Sequence, residues 1–538
     1  MWTRICCNCN IYVSGMSVTP TESKLLSLAI NSAKKRNQEY DINMEKNVVD
    51  IFGIVKRFIK TRNVLCYGGT AINAVLDEKD RFYDETYDLP DYDFFSMRAM
   101  SHAKELADMY AKQDYVVHAK AGQHYGTYKV YVNFLPVADI TQCDSRIFDR
   151  LWKQKYIVDG IRYVPPNFLK WSMYLELSRP MGDVSRWDKV YQRLKLLEQR
   201  FPISKCLISN KNKNSTLNRS FSSYQYDESQ LHDHLKELFI EDNVIFFGFG
   251  AYTEYMYAYK NKKRVKAADF EVISTDYISC ANRIHTNLTK LGYQPIYITH
   301  VDGIRDFVSS HYEVRLGQAI IAHIYESQSC YSYNVVSIRS KTNGEMKMKV
   351  ASIETLLSFY FIFLYIDNHY NNVNRITCMA QSLLELQRKN LAASRGLLKR
   401  FPIDCDGVQK TKKVVMREKY DKFIELKTKG LGPGARIYDE WFFNHKIPLR
   451  KNFSATATNT KRKRRKVRST SSRSGSNSTS SSSSKTTSTS YKTRTSKNHM
   501  TSKGITRPRV RTKRGRGTTL TKTPRTSRTL YGTRMRVK

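Results

Sequence analysis

Between Val64 and Ser96 the chain carries VLCYGG, then TAINAVL, and later DYDFFS, a succession that few folds accept. Val64, Leu65, Cys66 and Tyr67 read as a buried strand, Gly68 and Gly69 as a tight turn, and the segment from Thr70 to Leu76 as a helix. The glycines carry no Cβ, so backbone can approach an anion closely, and the free N–H groups and positive dipole end of the helix point at it. A phosphate suits that turn. Asp91 and Asp93 stand two residues apart on an extended segment and so share one face. Two carboxylates on one face call for a cation, and with oxygen donors only, beside a triphosphate, the fitting ion is Mg²⁺ or Mn²⁺. Further on, Tyr128, Val130 and Val132 share one face of a strand, and Val137, Ala138, Asp139 and Ile140 form another that places a single carboxylate in an apolar run. A buried Asp is costly unless paired or bound to metal, so Asp139 reads as the third member of the site.

A chain of 538 residues is long enough for two or three domains, and its formal net charge of +41 is unevenly spread. From Lys461 to Lys538 there are 25 Lys and Arg and no Asp or Glu, which leaves 65 basic and 49 acidic residues, a net +16, on the first 460. That balance favours polyanionic partners, with nucleic acid ahead of membrane because no stretch approaches 18 apolar residues. Ten cysteines, at 6, 7, 9, 66, 143, 206, 280, 330, 378 and 405, follow no repeated spacing and are expected to be free thiols in a reducing compartment. Cys6, Cys7 and Cys9 lack a matching second pair of zinc ligands nearby. Met1 to Gly15 is too short and polar for a secretory signal and reads as an extension ahead of a start at Met16.

In chain order, Thr19 to Lys60 has a helical pattern with two apolar sets: Leu25, Leu26, Leu28 and Ala29, then Val48, Val49, Ile51, Phe52, Val55 and Ile59. Both are expected to pack beside the sheet. A helix over Ala99–Lys112 and a strand near Tyr115–Ala119 follow. Lys155 to Pro166 reads as a hairpin turning at Asp159 and Gly160, and the prolines open a helix, Asn167–Leu177, that carries Lys170, Trp171 and Tyr174. Arg186, Lys189 and Arg193 recur beyond it at helical spacing.

A diglycine at a strand-to-helix turn followed by a D-x-D strand resembles the nucleotidyltransferase superfamily. YGGTAIN, PDYDFFS, VYVNFLPVADIT and LELSRPMGDVSRWDKVYQRL together resemble the poly(A) polymerase catalytic subunit of nucleocytoplasmic large DNA viruses, in its asfarvirus and giant amoebal virus forms and, more distantly, its poxvirus form, over Met16 to about Phe453. The resemblance implies template-independent addition of AMP from ATP to mRNA 3′ ends with release of pyrophosphate. It implies a two-metal site in which Asp91 and Asp93 bridge two Mg²⁺ or Mn²⁺ ions and Asp139 binds the ion that activates the attacking hydroxyl. Gly68, Gly69 and Thr70 would hold phosphate, and Lys170 and Tyr174, on the helix after the third carboxylate, would contact triphosphate and base. A homodimer is expected, with a separate processivity subunit as the other arrangement, working in the host cytoplasm at the viral factory with packaging into the virion. Two other readings stay open: an RNA terminal transferase adding CCA or uridine, and a non-catalytic RNA-binding scaffold.

The first half then repeats. NVLCYGGTA, Asn63 to Ala71, has its echo in NVIFFGFGA, Asn243 to Ala251, and TYKVYVNFLPVADI in HYEVRLGQAIIAHI, ending at Ile324. The expected fold is α+β: two tandem nucleotidyltransferase-like domains, each a mixed sheet with flanking helices, the second degenerate, plus N-terminal helices and a disordered basic tail. Phe249 stands where Gly69 stands and His323 where Asp139 stands, while DYDFFS aligns either with Asp269 and Glu271 or with Glu271 and Ile273. His323 reads as a core histidine, with a modified second active site as the rival. The boundaries are an N-terminal extension with helices, 1–60; a catalytic domain, 61–201; a Ser/Asn/Lys-rich linker, 202–223; the degenerate domain, 224–453; and a tail of Ser, Thr, Lys and Arg, 454–538, which cannot bury enough apolar area to fold. That tail could hold RNA through phosphate contacts or act as a nuclear-import signal. The apolar run Ser352–Ile366 is expected as a buried helix, a further helix over Arg375–Lys389, and Trp441, Phe442 and Phe443 as the group that docks the chain end.

Overall fold

A computed structural model describes residues 24–33, 36, 48–83, 90–208, 217, 226–260, 267–340, 344–366, 372–390 and 396–447. Cys6 to Cys9, most of the linker and the whole basic tail lie outside them.

The helix α1 (Val48–Thr61) turns Val48, Ile51, Phe52, Ile54, Val55, Phe58 and Ile59 inward, and each such side chain contributes roughly 1.5–3 kcal/mol on full burial. The chain then runs through β1 (Leu65–Tyr67), α2 (Gly68–Val75), β2 (Tyr92–Ser96), α3 (Ala99–Ala111), β3 (Val117–Ala121), β4 (Thr127–Val132) and β5 (Leu135–Gln142). After α4 (Ser145–Lys153), β6 (Tyr156–Val158) and β7 (Ile161–Tyr163) form the expected hairpin, with Asp159 and Gly160 both at positive φ, 49° and 76°, as a two-residue turn of this type requires. Pro166 opens α5 (Pro166–Leu177), and α6 (Trp187–Arg200) follows.

The second half repeats the order: α7 (Glu228–Glu241), β8 (Ile245–Phe247), α8 (Gly248–Lys260), β9 (Phe270–Ser274), α9 (Tyr277–Lys290), β10 (Ile296–Val301), β11 (His311–Leu316), β12 (Ala319–Glu326), β13 (Tyr331–Arg339), β14 (Glu345–Ala351), α10 (Ile353–Phe363) and α11 (Val373–Lys389). Then come β15 (Cys405–Asp406), α12 (Lys412–Thr428), α13 (Arg436–Phe442) and β16 (Asn444–Ile447).

Two eight-stranded sheets result, ordered β16-β3-β4-β5-β2-β1-β7-β6 and β10-β11-β12-β9-β8-β14-β13-β15. Setting aside the outer strands β16 and β15, the orders correspond strand for strand. So do the directions: β1 and β2 are antiparallel like β8 and β9, β2 and β5 parallel like β9 and β12, β1 and β7 parallel like β8 and β14. Even the irregularity recurs, at Val130/Tyr131 in one hairpin and Val314/Arg315 in the other. The sequence echo is thus a duplication of topology. One continuous apolar core runs through both halves, and α10, buried all round as its apolar run requires, packs against α5 of the first half.

The chain end docks as expected. Trp441 lies against Tyr125 at 4.6 Å between ring centroids, and β16 pairs with β3 in antiparallel register, Lys446 opposite His118.

Two expectations fail. Leu25, Leu26, Leu28 and Ala29 lie on a helical stretch whose residues are all exposed, so that apolar set does not pack on the sheet; a helical period specifies a face, and only a partner buries it. Nor are the thiols all free. Cys206 joins Cys378 and Cys330 joins Cys405 in disulfides, so the cysteines no longer argue for a reducing compartment. The partners are 172 and 75 residues apart, separations that spacing along a sequence cannot pair. Cys66, Cys143 and Cys280 are free and buried.

Candidate active site

The diglycine turn and the carboxylates meet at the centre of the first sheet. Tyr67 on β1 pairs in register with Asp93 on β2, and Asp93 pairs with Asp139 on the parallel neighbour β5. Register partners on adjacent strands point the same way, so Asp93 and Asp139 lie side by side, with Asp91 on the same face two residues earlier. Gly68 has φ of +77°, and a Cβ there would collide with Asp93 Oδ2. Glycine at this position therefore both permits the turn and lets the carboxylate come up against it. Thr70 fastens the two segments, its hydroxyl donating to the Asp91 carbonyl at 2.7 Å.

The electrostatics are those of a site short of positive charge. Burial, with Asp91 and Asp139 close by, lifts the Asp93 carboxyl from its ordinary 3.8 to about 7, against the pull of Lys129 and Arg186. Burial and then Asp139 also raise Asp91. The donors are all carboxylate oxygens, the set that suits a hard divalent cation, and a cation bound there would relieve the repulsion that holds Asp93 up. On donor chemistry, then, the residues fit Mg²⁺ or Mn²⁺. Lys129, the register partner of Asp139 on β4, forms an ion pair with Asp139 Oδ2.

A further cation stands at the diglycine itself. A Cβ on Gly69 would come within 3.0 Å of both Arg193 Nη1 and Tyr83 Oη. Arg193, on α6, donates to the Tyr83 hydroxyl at 2.7 Å and lies 4.2 Å from the Phe82 ring centroid. Phe82 and Tyr83 are held in turn by Asn73 of the TAIN segment, whose Oδ1 accepts from both of their backbone N–H groups at 2.8 and 2.9 Å and whose amide donates to the Tyr83 carbonyl. One guanidinium is thus braced against the mouth of the turn expected to receive phosphate, where Arg would be the suited residue.

Lys170 and Tyr174, expected at the nucleotide, have other partners. Lys170 is 1% exposed; its ammonium donates to the Phe201 carbonyl and, at 3.1 Å, to Asn167 Oδ1, and burial lowers its pKa to about 8. Tyr174 is 1% exposed and donates its hydroxyl to Glu198 while stacking on Phe361. The reason is packing: α5 lies between α6 and α10, so both residues face neighbouring helices. Arg193 and Lys129 are what sequence reasoning missed. Helical spacing had singled out Arg193 without giving it a role, and strand alternation would have found Lys129, which falls on the face opposite Tyr128, Val130 and Val132. Nothing in the sequence pointed to Tyr83.

In the second sheet the same positions carry different groups. Glu271 pairs with His323 as Asp93 pairs with Asp139, which settles the alignment in favour of Asp269 and Glu271. Gly248 keeps a positive φ of 62°, but the Glu271 carboxylate fills the turn: a Cβ on Gly248 would collide with Oε2, and that oxygen accepts from the Phe249 N–H at 3.1 Å. Asp93 lies against the first turn too, but the second acid is one methylene longer and takes up a helix-end N–H itself. His311, Glu313 and His323 each place one donor atom within 4.8 Å of the others, so the second sheet holds a cluster able to coordinate a metal ion. His323 is buried, at 1% exposure, as expected of a core histidine, and it also belongs to this cluster.

Comparison with known proteins agrees with this geometry. Residues 53–183 match the family model described as the poly(A) polymerase catalytic subunit. A protein of Acanthamoeba polyphaga mimivirus that bears this as a provisional name is 31% identical over 158 residues, which are 28% of this chain and 26% of that protein. An African swine fever virus protein with the same provisional name is 30% identical over 175 residues, 31% of this chain and 36% of its own length. The matched segment thus spans about a quarter to a third of these relatives. The fold is shared more widely: the crystal structure of the Megavirus polyadenylate synthase superposes with a TM-score of 0.65 over 82% of this chain and 88% of that one, at 19% identity.

Proposed function

Since this chain is homologous over residues 53–183 to the poly(A) polymerase catalytic subunits of large DNA viruses, we propose that it extends RNA 3′ ends with adenylate from ATP, without a template. The observation that carries the proposal is the register pair Asp93 and Asp139 beside Asp91, set against a left-handed Gly68 with no room for a side chain. In the reaction the RNA 3′-oxygen bonds to the α-phosphorus of ATP, the bond from that phosphorus to the β-phosphate oxygen breaks, and pyrophosphate leaves with the electron pair.

The protein's own groups have distinct parts. The N-terminal turn of α2, at Gly68, Gly69 and Thr70, receives the triphosphate through backbone N–H groups, and Arg193 meets the phosphate charge. Asp91, Asp93 and Asp139 would hold two Mg²⁺ or Mn²⁺ ions, which when bound acidify the 3′-hydroxyl and neutralise the departing pyrophosphate. Lys129 keeps one oxygen of Asp139 occupied and so orients the other towards Asp93. The second sheet, its anion site filled by Glu271, would form a wall for RNA or a dimer surface and take no part in the chemistry. A homodimer is the assembly we propose.

The test is to incubate the purified full chain with a labelled oligo(A) or oligo(U) primer, Mg²⁺ or Mn²⁺, and each nucleoside triphosphate separately. A ladder with ATP alone, abolished in Asp93→Asn, is the expected result. A ladder with UTP or CTP would assign a different terminal transferase. Primer retention without extension would leave only a scaffold.

A further inference from the structure

Adenylate transfer makes no use of the cluster on β11 and β12, next to the edge strand of the second sheet. His311 and Glu313 are two apart on β11 and share a face; His323 on β12 is the register partner of Glu313. All three are buried, at 5%, 3% and 1% exposure. His323 takes the position that Asp139 holds one domain earlier, for Glu313 faces His323 as Lys129 faces Asp139, and His311 takes that of Thr127. Where the first sheet has a hydroxyl, an ammonium and a carboxylate, the second has two imidazoles and a carboxylate.

That exchange changes which ion can be held. Oxygen-only donors select Mg²⁺ or Mn²⁺, whereas imidazoles with one carboxylate suit Zn²⁺. A second observation points to a ligand: no well-formed hydrogen bond reaches either ring nitrogen of His311 among the described residues, the Ser309 backbone being its nearest polar contact. A neutral imidazole carries one donor and one acceptor, and buried polar groups are as a rule satisfied, so a ring left with neither bond made lacks something. Glu313 is already oriented, its Oε2 accepting from Arg315 at 2.8 and 3.3 Å, the kind of outer contact that fixes a ligating carboxylate. Asp269 Oδ2 lies 3.8 Å from His323 Nε2 and is the nearest candidate for a fourth donor. A tetrahedral zinc with bonds of about 2.0–2.1 Å holds its donors roughly 3.4 Å apart, so modest side-chain rotation would close the present spread.

We infer that His311, Glu313 and His323 bind one Zn²⁺ as a structural ion that ties β11 to β12, with His323 at the place that Asp139 holds in the first domain. The burial of all three ligands makes the ion a staple for the sheet and not a reaction centre, and the inference stands whether or not the first domain polymerises adenylate.

The experiment uses the full chain, stripped by chelator, reloaded with Zn²⁺, dialysed and analysed for bound metal, alongside the same protein loaded with Co²⁺. The expected result is one equivalent of zinc that His311→Asn loses and Asp91→Asn/Asp93→Asn retains, with visible cobalt bands of a tetrahedral nitrogen and oxygen site. Equal zinc retention by the wild type and His311→Asn would overturn the inference. Should His311→Asn fail to fold, the wild-type cobalt spectrum decides: no tetrahedral bands, or only the thiolate charge-transfer band that Cys6, Cys7 and Cys9 would give, overturns it equally.

Discussion

In the proposed reaction the chemistry of the first sheet turns on Asp93, whose charge depends on pH between about 4 and 7. Its carboxyl is raised from 3.8 to about 7 when folded, so between those values the folded protein holds a proton that the unfolded chain has lost. Stability then falls as pH rises from about 4 to 7. Metal-free protein should therefore melt at progressively lower temperature across that window, Asp93→Asn should lack this component, and Mn²⁺ affinity of the wild type should rise with pH as the competing proton leaves. A melting temperature whose pH dependence is the same in both proteins would refute this. Arg193 offers a second measurement. A hydrogen bond to a charged group is worth about 1.5–3 kcal/mol, so Arg193→Ala should raise KM for ATP roughly tenfold to a hundredfold, and an unchanged KM would reduce Arg193 to a prop for Tyr83. The carboxylates and glycines were legible in the sequence because each answers to a local rule, same-face spacing or the lack of a Cβ. Arg193 at the turn was not, because it arrives from a helix more than a hundred residues away through a loop held by Asn73.

At the scale of elements, α5 shows where analogy outran packing. The position of this helix after the third carboxylate suggested nucleotide contacts, yet its burial between two other helices gives Lys170 and Tyr174 to the interior. Removing a buried donor leaves its acceptors unpaired, here the Phe201 carbonyl and Asn167 Oδ1, at a cost of about 1–3 kcal/mol. Lys170→Met should accordingly keep its KM for ATP within about twofold while melting lower than the wild type, both readable from steady-state kinetics and a thermal scan; a large rise in KM would return the lysine to the nucleotide. Helix α1 and the hairpin β6–β7 followed from period and turn chemistry, since their signals lie within a few residues. The stretch 24–33 has an equally regular period and remains exposed, because periodicity alone does not provide a surface to pack on.

Over the whole molecule, the duplication was visible as two echoes at nearly constant offset, and strand order confirms it element by element. The disulfides were not visible, since Cys206 and Cys330 find their partners only once the second half has folded. The outermost strand of the first sheet is equally non-local: β16 covers β3 from more than three hundred residues downstream. Ending the chain before Asn444 would leave the outward-facing N–H and C=O groups of Val117–Lys120 unpaired along an open edge, a template for strand-to-strand association. Size-exclusion chromatography should find that truncated form shifted to large aggregates, whereas removal of residues 456–538 alone should leave the elution of the body unaggregated. Glu271, finally, takes up the Phe249 N–H that a bound phosphate would need. On the proposed reading the second copy carries its own competitor, tethered by the backbone, and added ATP would not displace it.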